Sequence, residues 1–141
     1  MVNSKSMNYF YLLLSFLLGS VVSVSGQERI AVSNLRCEYL EDPVAIENGK
    51  PLLSWQLQSS GQVKSQTAYR ILVASSPSLL ADGKADFWDS GKIASSRSSQ
   101  VGYEGKTLDS RQTLYWKAMA WDEKGEASPW SETGRWTMGL L

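Results

Sequence analysis

Thr113-Leu-Tyr-Trp-Lys-Ala-Met-Ala-Trp121 is the stretch that decides the fold. Side chains in it alternate with a period of two, which is typical of a β-strand with one buried face. Asp122 to Gly125 then supplies a turn whose glycine is available for positive φ, and Arg135 to Met138 returns as the final strand. The inward face is predicted to carry Leu114, Trp116, Ala118 and Ala120, and the outward face Tyr115, Lys117, Met119 and Trp121.

Two earlier segments show the same period. The first runs from Leu52 to Gln58, with Pro51 at its start, where a missing N–H matters least. The second runs from Thr67 to Ala74, and Leu72 keeps its outer face partly apolar, so we predict that it is a central strand. The residues predicted to face inward are Leu53, Trp55 and Leu57 in the first segment and Tyr69, Ile71 and Val73 in the second.

The rest of the chain alternates short apolar runs with turn residues. Ser75 to Ser78 is expected to open a short helical turn through Ala81, because Pro77 fits a first helical turn and Gly83 can end one. The other short segments are two predicted strands and a solvated loop, namely Phe87 to Gly91, Gln100 to Tyr103 and Ser95 to Ser99. This rhythm predicts an all-β sandwich of about seven strands in one domain at residues 27–141.

The first 26 residues are typical of an export signal. Lys5 gives a positively charged start, and Tyr9 to Val22 is an apolar run shorter than the roughly 20 residues that span a membrane. We expect cleavage after Gly26, and a mature domain that is periplasmic or extracellular and has no membrane contact; an uncleaved anchor is the alternative. Cys37, the only cysteine, is interpreted as a small buried strand residue rather than a lipid anchor.

The composition excludes several classes of function. Lys plus Arg equals Asp plus Glu at 14 each, so no basic field is present to hold nucleic acid. Histidine is absent, which removes Ser-His and Cys-His pairs and histidine metal sites. Acidic neighbours such as Glu41-Asp42 and Asp122-Glu123 fall in predicted turns, and no Asp-x-Asp-x-Asp calcium loop occurs. We therefore expect no catalytic residue, metal or cofactor in this chain.

Three features together resemble fibronectin type III domains. They are Trp55 on the second predicted strand, Leu108 six residues before Leu114, and Gly125-Glu-Ala-Ser-Pro-Trp-Ser131 ahead of the last strand. The resemblance implies an immunoglobulin-like sandwich of two antiparallel sheets packed face to face. In such domains position 114 is usually a tyrosine whose hydroxyl bonds back to the corner, so that bond is either absent here or supplied by Tyr115.

Five segments in order resemble the N-terminal domain of bacterial α-L-rhamnosidases, over about residues 33–141. That resemblance implies a parent enzyme that continues into further β domains and an (α/α)6 barrel, where paired acidic residues hydrolyse terminal rhamnose with inversion. The barrel is not in this chain, so the implied role is a non-catalytic module whose partners are the parent's other domains. The segments are Pro51-Leu-Leu-Ser-Trp55, Gln66-Thr-Ala-Tyr-Arg-Ile-Leu-Val-Ala74, Trp88-Asp-Ser-Gly91, Tyr115-Trp-Lys-Ala-Met-Ala-Trp-Asp122 and Trp136-Thr-Met-Gly-Leu-Leu141.

Six tryptophans in 141 residues is a high content, and exposed tryptophan rings could contact a glycan or another domain. Trp55 and Trp116 lie on apolar strand faces and are predicted to be core. Trp88 and Trp130 are the candidates for contact with another domain or with a rhamnose-containing glycan, and we favour interdomain packing because aromatic residues anchor interfaces. Two other functions stay open. One is a free-standing glycan-binding module with Trp88 and Trp130 as one sugar platform, and the other is a protein-interaction domain that uses a strand edge.

Overall fold

The computed structural model describes residues 29–61 and 65–141, which form eight β-strands and one short helix. The predicted export signal, residues 1–26, lies outside the described residues. The elements are β1 (Ile30–Cys37), β2 (Leu52–Ser59), β3 (Gln66–Ala74), α1 (Pro77–Ala81), β4 (Trp88–Asp89), β5 (Ile93–Ala94), β6 (Val101–Gly102), β7 (Thr113–Asp122) and β8 (Gly134–Thr137).

The strands form two antiparallel sheets. One has three strands in the order β1-β2-β6, and the other has the order β4-β3-β7-β8, with β5 also paired to β3. In the larger sheet Val73 lies opposite Trp116, and Leu114 lies opposite Trp136. The all-β sandwich and the central place of β3 confirm the prediction from sequence.

The main core fills the space between the two sheets. Leu53 and Trp55 of β2 join Ile71 and Val73 of β3 and Trp116 of β7 in one cluster, and each of these side chains is at most 3% exposed. A tryptophan buried in this way removes about 150–250 Å² from water. The predicted dry layer is therefore confirmed, with Leu57 half-buried at its margin.

Trp136 is also fully buried. It faces inward beside Leu114, and its ring packs edge-to-face on Tyr103 with the ring centres 5.9 Å apart. Its indole N–H points to the sulfur of Met138 at 3.2 Å. A strand of four residues is too short for its period to show which side is buried, whereas pairing with β7 decides it.

A second, smaller apolar cluster lies on the outer face of the five-stranded sheet. Leu72 and Ala74 of β3 are covered there by Leu80 of α1. The helix begins as predicted, because the Ser76 hydroxyl accepts a hydrogen bond from the Leu79 N–H at 3.3 Å. Gly83 follows the helix with φ +70°.

The described residues form eight strands, in agreement with the expected number of about seven; no bounds for β1 or β5 were predicted from the sequence. A shift of register between Ser33 and Arg36 interrupts the period of β1. Residues 95–99 form the predicted loop and are mostly exposed, and the carbonyls of Ser95 and Arg97 accept hydrogen bonds from the Gln66 amide at 3.0 and 2.8 Å.

The corner bond of fibronectin type III domains is absent. Leu114 is fully buried, and Tyr115 lies on the outer face against the smaller cluster, where none of the described residues accepts a hydrogen bond from its hydroxyl. Tyr103 instead donates its hydroxyl to the Lys106 carbonyl at 2.8 Å, and burial raises its pKa to about 12. Cys37 ends β1 with 1% exposure, as predicted, and burial raises the pKa of its thiol to about 12.

Candidate functional site

Trp88, the first candidate, is held at the edge between the two sheets. It lies opposite Val73 on the inward side of β4, and its ring packs edge-to-face on Tyr103 at 5.4 Å. The chain passes close behind it at Gly105, where an added Cβ would lie 2.6 Å from the Trp88 Cβ. Trp88 is therefore half-buried and firmly positioned, with only part of its side chain available to a ligand.

A concavity of about 220 Å³ adjoins Trp88. Arg97 and Glu104 supply a cation and a carboxylate near the Tyr69 hydroxyl, whose pKa is raised mainly by burial and then by Glu104, while Arg97 lowers it. Aromatic carbon beside hydrogen-bonding groups suits a polyol ring, but sites for small molecules usually measure about 300–1,000 Å³. The concavity beside Trp88 is smaller than that range. Its other lining residues are Ser90, Ile93 and Gly102.

Trp130, the second candidate, lies on the outer face of the five-stranded sheet. The segment before β8 runs alongside β7 and is held there by two serines, one on each side of Trp130. Ser128 and Ser131 each donate a backbone N–H to a β7 carbonyl, at 2.7 and 2.8 Å, and each accepts a β7 N–H on its hydroxyl at 3.0 Å. This pairing places the Trp130 ring against the smaller apolar cluster.

Two cations lie over the Trp130 ring. The Lys117 Nζ is 5.0 Å and the Arg70 guanidinium carbon 6.0 Å from its centre. Arg70 also forms a two-point ion pair with Asp89, at 2.9 and 2.6 Å. Burial lowers the pKa of Lys117. The half-buried ring is thus flanked by charges on the sheet surface.

The structure does not bring the two candidate tryptophans together. Trp88 packs against the main core between the sheets, whereas Trp130 packs against the cluster of Leu72, Ala74 and Leu80 on the opposite face of the same sheet. A single ring platform made of both residues is therefore excluded by their positions, although each remains a candidate contact by itself.

A second concavity, of about 340 Å³, lies beside the irregular part of β1 and is lined by three carboxylates. Glu41 is paired with Arg36 at 2.7 Å, and the Asp42 carboxylate accepts the backbone N–H of Arg135 at 2.9 Å. Glu132 is the third. A glycosidase needs one acid and one base free to act across the substrate, but two of these three groups brace the local structure. The site gives no support for catalysis.

Across residues 29–61 and 65–141, no group of three or more His, Cys, Asp or Glu side chains is arranged to hold a metal ion. Within the same ranges, no helix has the length and apolar character needed to cross a bilayer.

Reasoning from sequence missed most of the surroundings of both tryptophans. Arg97 and Glu104 come near Trp88 because β4 and β5 pair with β3 while β6 pairs with β2. A local sequence pattern does not predict that arrangement. The contact of Lys117 with Trp130 had a partial signal, because the alternation of β7 assigned Lys117 to the outer face.

Nearly all of the described domain matches a family model. The model, Rha78A-like, N-terminal immunoglobulin domain, matches residues 32–141. An α-L-rhamnosidase of Formosa agariphila is 41% identical over an alignment of 141 positions, which covers 96% of this chain and 15% of that relative. An α-L-rhamnosidase of Streptomyces avermitilis is 37% identical over 112 residues, 79% of this chain and 11% of the relative.

Two solved structures share the fold. The α-L-rhamnosidase from Dictyoglumus thermophilum superposes with a TM-score of 0.75 at 34% identity, over 78% of this chain and 12% of that one. The Streptomyces avermitilis α-L-rhamnosidase complexed with L-rhamnose gives 0.75 at 37% identity, over 79% and 11%. The chain spans 11–15% of the length of these relatives, which it matches only through this immunoglobulin-like domain. By sequence and by fold, it belongs to the family of Rha78A-like N-terminal immunoglobulin domains.

Proposed function

We propose that this chain is the non-catalytic N-terminal module of an exported α-L-rhamnosidase that hydrolyses terminal α-L-rhamnose from glycans or glycosides. The observation that carries the proposal is the match of residues 32–141 to proteins of that name, with the sandwich retained at a TM-score of 0.75. The export signal expected at residues 1–26 supports a periplasmic or extracellular site of action.

Within such an enzyme the module is structural, and its partners are the parent's other domains. Three of its carboxylates brace the fold: Asp89 is paired with Arg70, Asp86 accepts a hydrogen bond from Ser75, and Asp122 accepts backbone N–H groups in its own turn. Residues that fix turns and strand edges in this way are unsuited to move protons on a substrate.

The test is the protein encoded by the reading frame that contains this chain. We expect that frame to continue beyond codon 141 and its purified product to release p-nitrophenol from p-nitrophenyl α-L-rhamnoside. Residues 27–141 alone should release none. A frame without a rhamnosidase domain contradicts the proposal, and so does activity of residues 27–141 alone.

The concavity beside Trp88 favours a second candidate, contact with a rhamnose-containing glycan. A titration of residues 27–141 with L-rhamnose, followed by the tryptophan indole N–H signals in NMR, tests it. Trp88→Ala should abolish the shifts and Trp130→Ala should preserve them, because the two rings lie on opposite faces of the sheet. An unresponsive wild-type domain rejects glycan binding.

A further inference from the structure

We infer that the module docks onto the domain that follows it through an apolar end, which comprises the side chains of Tyr39, Leu40, Val44, Leu140 and Leu141. The inference rests on the proposed function, because it takes the occupant to be the next domain of a longer enzyme. It also departs from the sequence prediction, which placed interdomain contact at Trp88 and Trp130.

Exposure singles out this end of the domain. Six large hydrophobic side chains of the described residues are exposed, and five of them form the apolar end. Val44 is 73% exposed and Leu140 is 69% exposed, whereas Trp88 and Trp130 are each half-buried against the five-stranded sheet. Grouped apolar exposure on an otherwise well-buried domain marks a surface that another protein covers.

The loop that carries Tyr39, Leu40 and Val44 has a strained backbone. Glu38, Tyr39, Asp42 and Ala45 have φ between +45° and +67°, a region that residues other than glycine rarely adopt. Each such residue costs about 1–3 kcal/mol and persists only where the surroundings hold it. The surrounding structure therefore holds this loop in one backbone conformation.

Hydrogen bonds hold the tip of this loop. Cys37 and Leu40 exchange two backbone hydrogen bonds, at 2.9 and 3.0 Å, around the tight turn. The Glu38 carboxylate accepts the Leu52 N–H at 2.8 Å, and the Tyr39 hydroxyl accepts the Gln100 amide at 2.7 Å. The apolar side chains are thus presented by a rigid loop, which lowers the entropy lost on docking.

The same loop is tied to the last residues of the matched region. Thr137 donates to the Pro43 carbonyl at 2.9 Å, and Gly139 donates to the Ile46 carbonyl at 2.8 Å. The approach is close at Gly139, where an added Cβ would lie 3.2 Å from the Ala45 carbonyl. Leu141 is held from the other side, since its N–H donates to the Ser110 hydroxyl at 2.9 Å. The loop at 39–44 and residues 140–141, which together carry the apolar end, are therefore held in a fixed relative position.

The family relationship supplies the occupant. The matched region is an N-terminal domain and makes up 11–15% of the relatives, so in them a further domain continues from the position of Leu141. A domain tethered at that point meets the apolar end at high effective concentration. Interfaces between domains of one chain bury about 600–1,500 Å², which leaves room for all five side chains.

A fusion tests the docking. Residues 29–141 replace the equivalent segment of the Formosa agariphila α-L-rhamnosidase, and scanning calorimetry follows unfolding. We expect the module to unfold in one transition with its neighbour, and the double variant Val44→Ser, Leu140→Ser to separate it as a second transition at lower temperature. Hydrogen exchange of the amides at 40–45 should be slower in the fusion than in residues 27–141 alone, and the double variant should lose that protection.

Ile93→Ser is the matched control, because Ile93 is the one exposed large hydrophobic of the described residues outside the apolar end. It should leave the single transition intact. In residues 27–141 alone, the double variant should unfold at the wild-type temperature, which separates lost docking from lost folding. Two transitions in the unsubstituted fusion, or equal exchange of residues 40–45 in fusion and free domain, overturn the inference.

The two proposals fail separately. A reading frame without a rhamnosidase domain rejects the proposed function and leaves the calorimetry of the fusion as it was measured. A fusion whose module unfolds independently rejects docking through the apolar end and leaves the rhamnosidase assay unaffected.

Discussion

Trp116 and Trp121 lie on the same strand, β7, and end in different surroundings. Trp116 points between the sheets and is 1% exposed, whereas Trp121 points outward, is only half-buried, and has the Lys92 Nζ 4.5 Å from its ring centre. The residue type is the same, and the face of the sheet decides its role. Inward rings supply folding free energy by dry packing, and outward rings are covered by lysine and arginine side chains.

The largest expected effect tests this contrast directly. Trp116→Ala should lower the free energy of unfolding by about 3–5 kcal/mol, because it opens a cavity between rigid sheets. Trp121→Ala is the matched variant and should lower it much less, since that ring is partly solvated. Urea unfolding followed by far-UV circular dichroism measures both. Equal losses would show that the two faces do not differ in energy.

The second prediction concerns a polar group at the margin of the inward face. Gln66 is 3% exposed, and its side-chain oxygen accepts the Trp55 indole N–H at 3.0 Å. Gln66→Leu leaves that buried N–H, and the carbonyls to which the Gln66 amide donates, without a hydrogen-bond partner. We therefore expect urea unfolding to show that the free energy of unfolding falls by about 1–3 kcal/mol. Adding Trp55→Phe removes the stranded donor and should make the double variant's loss smaller than the sum of the single losses.

On the outward face, the ion pair of Arg70 with Asp89 should contribute less. Both side chains are about 40% exposed, so water screens the pair. A double-mutant cycle with Arg70→Met and Asp89→Asn should give a coupling of about 0.2–1 kcal/mol. A coupling as large as the loss in Trp116→Ala would contradict the contrast between the faces.

The same pair predicts a pH dependence. The hydrogen bond from Arg70 is the main reason that the pKa of Asp89 lies below its usual value of 3.8. A depressed folded-state pKa stabilises the fold above 3.8, and that stabilisation disappears as the pH falls through the folded-state value. The stability difference between wild type and Asp89→Asn, measured by urea unfolding from neutral pH downward, should therefore shrink only below 3.8.

The smallest expected effect is at Lys117. Lys117→Met keeps the stem on the Trp130 ring but removes the ammonium group 5.0 Å from the ring centre. A cation–π contact at such a site contributes about 0.5–1 kcal/mol, and burial of Lys117, which lowers its pKa, offsets part of that. We expect urea unfolding to show a loss below about 0.5 kcal/mol. A larger loss would contradict the expected offset by burial of Lys117.

Agreement between sequence and structure is closest where strands are long. β7 has ten residues and β3 has nine, so alternation could be read several times over, and the buried faces agree with the prediction. It is poorest where elements are short or irregular. β5 has two residues, and β1 changes register between Ser33 and Arg36, so neither shows a period that a pattern can detect.

For the candidate site, the sequence named Trp88 and Trp130 but did not relate them in space. Their separation follows from which face of β3 each one meets, and pairing between distant segments sets that. The apolar end was not predicted, because the sequence alone does not distinguish Tyr39, Leu40 and Val44 from ordinary strand or core residues.

The sequence by itself determined the fold class, the inward tryptophans Trp55 and Trp116, the start of α1 and the family, because alternation, capping and ordered motifs are local properties of the chain. Only the tertiary structure decided that Trp136 is core, that Trp88 and Trp130 face apart, and that five of the six exposed large hydrophobic side chains of the described residues lie in the loop at 39–44 and at residues 140–141. Those outcomes depend on pairing between residues far apart in the chain, such as Thr137 with Pro43, and a local pattern carries no record of such contacts.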